Sequence, residues 1–117
     1  STEAKPAHRE AVRHGEADLK VNPTDARNLA ALAVYLQKAG EPAAARTRLE
    51  QALATAPDSA DILFRASVLH ALWGESERAL GFLERAAANG YSRKTIETDD
   101  DLVSLRQSPR FQQLLKE

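Results

Sequence analysis

Between Ala26 and Ala39 the large and small apolar residues Leu29, Leu32, Ala33 and Leu36 fall at i, i+3, i+4 and i+7. That spacing lays one stripe along a helix, which Thr24 or Asp25 would cap. Gly40 stands where a helix exit favours a left-handed residue, and Pro42 opens a second helix. This second helix carries Ala45, Leu49, Ala52 and Leu53 on one face and stops at Ala56-Pro57. The plan then recurs. Ser59 caps a helix with Leu63, Ala66, Ser67 and His70 inside, Gly74 turns the chain, and Ser76 caps a helix with Ala79, Leu83, Ala86 and Ala87. Asn89-Gly90 is the exit.

The flanks are less regular. Ser1–Lys5 is polar and reads as a frayed end. Pro6 suits a first helical turn, and Ala7–Val21 reads as a helix with a thin stripe of Ala11, Val12 and Leu19, weakened by Gly15 and ended by Asn22-Pro23. After Tyr91 the periodicity fades. Ser92–Glu97 reads as a short helix. Thr98 with Asp101 has the form of a capping box opening a helix through Leu102, Val103, Leu105 and Arg106, and Ser108-Pro109 starts a last helix with Phe111, Leu114 and Leu115.

Residues 26–59 and 60–93 are two copies of one pattern offset by 34 residues: Ala26 falls on Ala60, Leu29 on Leu63, Val34 on Val68, Gly40 on Gly74, Glu41 on Glu75, Ala45 on Ala79, Leu49 on Leu83, Glu50 on Glu84 and Ala52 on Ala86. A period of about 34 with two helices per copy marks a stacked helical repeat. In these positions the chain resembles the tetratricopeptide repeat family. Leu29 with Leu32-Ala33 and Leu63 with Ala66-Ser67 match its large residue and large–small pair, Gly40 and Gly74 its turn, and Ala45, Ala52, Ala79 and Ala86 its small residues around Leu49 and Leu83. Pro57 matches the closing proline, and Tyr91 replaces it in the second copy. Small residues let the two helix backbones approach closely.

One period earlier, Ala11, Leu19 and Pro23 also land on pattern positions. The resemblance therefore implies one domain over residues 1–117: a half repeat at 6–23, repeats at 26–59 and 60–93, and C-terminal capping helices at 94–117. The fold class expected is all-α, an α-α superhelix of antiparallel helix pairs with about seven helices including the short C-terminal ones. The tail resembles the segment that follows such repeats in many bacterial regulators, where it would cover the last apolar face. The chain starts at Ser1 and has no methionine, so it reads as processed or as a fragment of something larger.

Composition narrows the function. Hydrophobic residues make up 43% of the chain but aromatics only 5%, so the core must come from close helix contact. The net charge is -1 with no basic stripe, which removes the footprint of a nucleic-acid binder. No apolar run approaches the roughly 18 residues of a membrane span. Cysteine is absent, excluding disulfides and thiolate chemistry; this fits a cytoplasmic chain and leaves a periplasmic one open.

Catalysis has nothing to stand on. His8, His14 and His70 lack metal-ligand spacing, and His70 occupies a core position, so no metal, cofactor or catalytic residue is expected. Asp99-Asp100-Asp101 lacks the glycine and spaced oxygens of a calcium loop and reads instead as a helix start. No nucleophile elbow or phosphate-cradling glycine loop is present.

The resemblance implies that the first helix of each pair lines a concave groove holding a protein or peptide partner. Carried over residue by residue, Arg27, Ala30, Ala31, Val34, Gln37 and Lys38 face that groove from one repeat, and Asp61, Phe64, Arg65, Val68, Ala71 and Leu72 from the other. Arg27, Lys38 and Arg65 beside Val34, Phe64, Val68 and Leu72 suit a peptide with some acidic character. Phe64 and Leu72 have packing against neighbouring helices as their alternative, and Trp73 is either a packing residue between repeats or a partly exposed contact. Ala30 and Val34 replace the lysines and asparagines with which one subfamily grips a terminal carboxylate, which argues against that ligand. The expected function is a non-catalytic interaction module. Self-association through the open N-terminal repeat face, and a regulatory tail of a bacterial kinase, cyclase or transcription regulator, are the alternatives.

Overall fold

The computed structural model describes residues 4–22 and 24–117, with side chains from Arg9 onward except Val21. Of the stretch Ser1–Lys5, expected to be a frayed end, Ser1–Glu3 lie outside the described residues, as do Pro23 and the side chains of Pro6 and His8, while Ala4 and Lys5 already belong to the first helix. Among the described residues seven α-helices and one 3-10 helix follow in order: α1 (Ala4–Val21), α2 (Ala26–Lys38), α3 (Pro42–Thr55), α4 (Ala60–Leu72), α5 (Ser76–Ala88), α6 (Arg93–Thr98), the 3-10 helix (Asp100–Leu105) and α7 (Pro109–Lys116). Among the described residues there is no strand, and no helix is long and apolar enough to cross a membrane. The chain divides into two compact units, one ending at Pro57 and one running from Asp58 to Glu117.

In the first unit α2 packs on both α1 and α3. Asp25 rather than Thr24 caps α2, accepting from the Asn28 amide at 3.2 Å. Leu29, Leu32, Ala33 and Leu36 are buried as the stripe predicts, with Ala45, Leu49 and Ala52 from α3 and Leu19 from α1. Burying each leucine contributes about 1.5–3 kcal/mol. Gly15, expected only to weaken α1, is buried against α2. A Cβ there would sit 3.1 Å from Leu32 Cδ1, and the Gly15 carbonyl accepts from Asn28 Nδ2 at 3.2 Å. Arg48 on α3 donates to Glu16 on α1 at 2.8 Å.

In the second unit α4 and α5 pair, and the 3-10 helix and α7 pack on them. Ser59 caps α4 by accepting from Ile62 N at 3.4 Å, and Ser92 caps α6 by accepting from Thr95 N at 3.2 Å. The tail contributes Ile96, Leu102, Leu105, Phe111 and Leu114 to the core.

The same exit closes three helices. Gly40, Gly74 and Gly90 have φ of 88°, 76° and 100°, and the next residue reaches back five positions: Glu41 N to Leu36 O, Glu75 N to His70 O, Tyr91 N to Ala86 O. Each glycine amide also bonds three residues back, giving the two-bond cap that only a left-handed residue permits. The turns after α2 and α4 are so short that each packed pair must be antiparallel.

Two expected caps differ. Ser76 is the first residue of α5, not its cap; Glu75 occupies the cap position without a side-chain cap bond, as Glu41 does before α3, and its carboxylate lies 2.7 Å from His70 Nδ1. The Thr98–Asp101 capping box does not form. Thr98 Oγ1 donates backward to Lys94 O at 3.1 Å, and Asp99 caps a 3-10 helix by accepting from Asp101 N at 2.8 Å. In that tighter helix Leu102 and Leu105 share a side at i and i+3 and are buried, while Val103 is 61% exposed.

Candidate partner-binding faces

On α2, at 100° per residue, Arg27, Ala31, Val34 and Lys38 share a sector of about 60°, and Tyr35 borders it. Arg27 and Lys38 are exposed at its ends, Ala31 and Val34 are half-buried between them, and Tyr35 is 39% exposed. Ala30 is fully buried and belongs to the core. Among the described residues Arg27 and Lys38 form no ion pair, and α2 contains no carboxylate.

The matching face of α4 is different. Arg65 Nε lies 3.4 Å from Asp61 Oδ2, one turn away on the same helix. Val68 and Ala71 are buried, and Leu72 is 43% exposed, so it is available for contact rather than packed away. Phe64 is 7% exposed and stacks on Tyr91 with ring centroids 4.2 Å apart and planes 6° from parallel. Its packing alternative is thus the geometry found, within its own unit. Tyr91 stands where the first repeat has Pro57. Burial, then the nearby Asp61 and Asp99 carboxylates, push the Tyr91 phenol above its ordinary value, with Arg65 opposing.

A second cluster lies at the far end of α4. His70 is buried, its Nδ1 2.7 Å from Glu75 Oε1, its ring stacked on Phe82 at 5.1 Å and met edge-on by Trp73 at 5.1 Å. This is the satisfied core histidine that the pattern predicts. Trp73 is half-buried, and Arg85 lies over the Phe82 ring at 5.6 Å. Beside this cluster the α4–α5 turn leaves a shallow, open depression of about 510 Å³ lined by Gly74 to Arg78. Asp99 acts as a cap, and no group of three or more His, Cys, Asp or Glu among the described residues is placed to hold a metal ion.

The sequence sets Asp61 and Arg65 on one helix face without showing that they pair, Tyr35 is not among the expected contact residues, and Tyr91 enters only as the replacement for Pro57. The signal for Tyr91 was available: the 34-residue offset puts an aromatic in the slot of a proline.

Comparison with protein families returns a match to the tetratricopeptide repeat over residues 26–69, spanning α2, α3 and most of α4. Neither the curated proteins nor the solved structures compared give a match. The match covers the first copy of the 34-residue pattern and the first ten residues of the second, and within it α2 and α3 pack together as a helix pair. Residues 26–69 therefore carry a tetratricopeptide repeat.

Proposed function

We propose that the chain is a non-catalytic interaction module that holds a protein or peptide partner on the first-helix faces of its repeats, through Arg27, Ala31, Val34 and Lys38 on α2 and through Arg65 and Leu72 on α4. Phe64 and Val68 support the second face from below, since both are buried. The observation that carries the reading is the α2 face, where charged ends, a half-buried apolar floor and an exposed tyrosine share one side of a helix in a repeat whose family serves protein contacts. Tyrosine and arginine are the residue types that anchor such contacts. With so few repeats the interface is small and the affinity for a short peptide modest. Within residues 58–117 the same reading makes α6, the 3-10 helix and α7 a cap on the repeat at 60–93.

The test compares proteins retained by the wild type with those retained by an Ala31→Gln, Leu72→Asp variant, each candidate then being purified and titrated directly. Both positions are at least partly exposed, so the variant should keep its helix content by circular dichroism. Loss of direct binding by at least about tenfold is expected. Unchanged affinity for every purified partner sinks the reading.

A further inference from the structure

Resting on that reading, we propose that the α2 face is a site for an acidic partner segment, of the form acid–x–apolar–x–acid in extended conformation, and that this charge preference belongs to the first repeat alone. The two repeats present the same scaffold with different charge. Shifted by 34 residues, Arg27 falls on Asp61, Ala31 on Arg65 and Lys38 on Leu72. The α2 face therefore carries two cations and no anion, whereas on α4 the one cation is engaged by the one anion at 3.4 Å. The Asp25 carboxylate, which precedes α2, is occupied in capping it.

The spacing sets the form of the ligand. Arg27 and Lys38 are eleven residues apart, about 16 Å along a helix axis at 1.5 Å per residue. In an extended segment, residues i and i+4 point to the same side and lie about 13 Å apart at about 3.3 Å per residue. The length of the arginine and lysine side chains covers the remaining few ångströms. The residue at i+2 then lies over the floor of Ala31 and Val34, against the edge of Tyr35. Carboxylates meeting free guanidinium and ammonium groups form charge-assisted hydrogen bonds, which neutral side chains cannot match.

The probe is an end-blocked Gly-Glu-Ser-Leu-Ser-Glu-Gly peptide titrated into the full chain and followed by amide chemical shifts. Shifts confined to α2 and its ends are expected, with affinity falling at high salt. Replacing both glutamates of the peptide by glutamine should weaken binding at least about tenfold. An Arg27→Glu, Lys38→Glu variant should lose the acidic peptide and gain the corresponding lysine peptide. Equal binding of the glutamine peptide, shifts centred on α4, or undiminished binding by the charge-reversed variant overturns the proposal. Should the acidic peptide fail while purified partners are still lost with Ala31→Gln, Leu72→Asp, only the acidic preference falls. Should those partners bind the variant unchanged, the underlying reading falls instead.

Discussion

Replacing Phe111 by alanine tests whether the tail completes the second unit. Phe111 is 1% exposed, on α7, and joins the tail residues Ile96, Leu102, Leu105 and Leu114 in the core. Truncating a buried phenylalanine costs about 3–5 kcal/mol, part of it lost transfer free energy and part the cavity left behind. At about 0.05–0.15 kcal/mol per residue, a unit the size of residues 58–117 has roughly 3–9 kcal/mol in all. The substitution should therefore remove a large fraction of that unit's stability. Trp73 is the single tryptophan, sits on the α4–α5 turn and touches His70, so its fluorescence reports this unit. With a urea m-value of about 1–3 kcal/mol/M, the Trp73 midpoint should fall by at least about 1 M. A midpoint within about 0.3 M of the wild type would mean that α4 and α5 stand without the tail, and the capping role would be wrong.

Gly81→Ala should raise the stability of the second unit by about 0.8–1.0 kcal/mol, because the site is helical and nothing lies within 4 Å of the added Cβ; Trp73-detected melting checks it. Gly15→Leu should cost about 1–3 kcal/mol by overpacking against Leu32, and thermal melts by circular dichroism should show a lowered transition. In a Tyr35→Phe background, the tyrosinate absorbance of Tyr91 should titrate above 10.0; the neutral phenol is the favoured folded form, so this contribution to stability is complete below pH 10 and is lost as pH rises through the higher folded value. Arg110 bridges α7 to α5 through Glu84 at 2.5 Å and Glu77 at 2.7 Å, chiefly the Glu84 bond holding its pKa up, and Arg110→Gln should lower the melting temperature by an amount that shrinks in 1 M salt.

What the sequence made legible was whatever repeats or acts locally. The apolar stripe of α2, the three glycine exits and the proline starts each depend on a few neighbouring residues, and each is found where the pattern placed it. Glu75 could not be recognised as a core partner without knowing that His70 is buried within reach, and Asp99 outcompeted Thr98 because its carboxylate sits two residues from the amide it accepts. Gly15 was misjudged for the same reason, since its cost in α1 is local while its benefit is a contact with Leu32, seventeen positions away. The candidate faces show the sharper limit. A count of basic residues gives α4 a share of positive character through Arg65, yet Asp61 one turn earlier engages that charge, and Tyr91 fixes Phe64 beneath it. Both partners were present in the repeat alignment, one as the counterpart of Arg27 and the other as the counterpart of Pro57. The positions at which two copies of a scaffold disagree are thus where binding preference is decided, and the sign of that preference emerges only when the disagreeing residues are placed beside their neighbours.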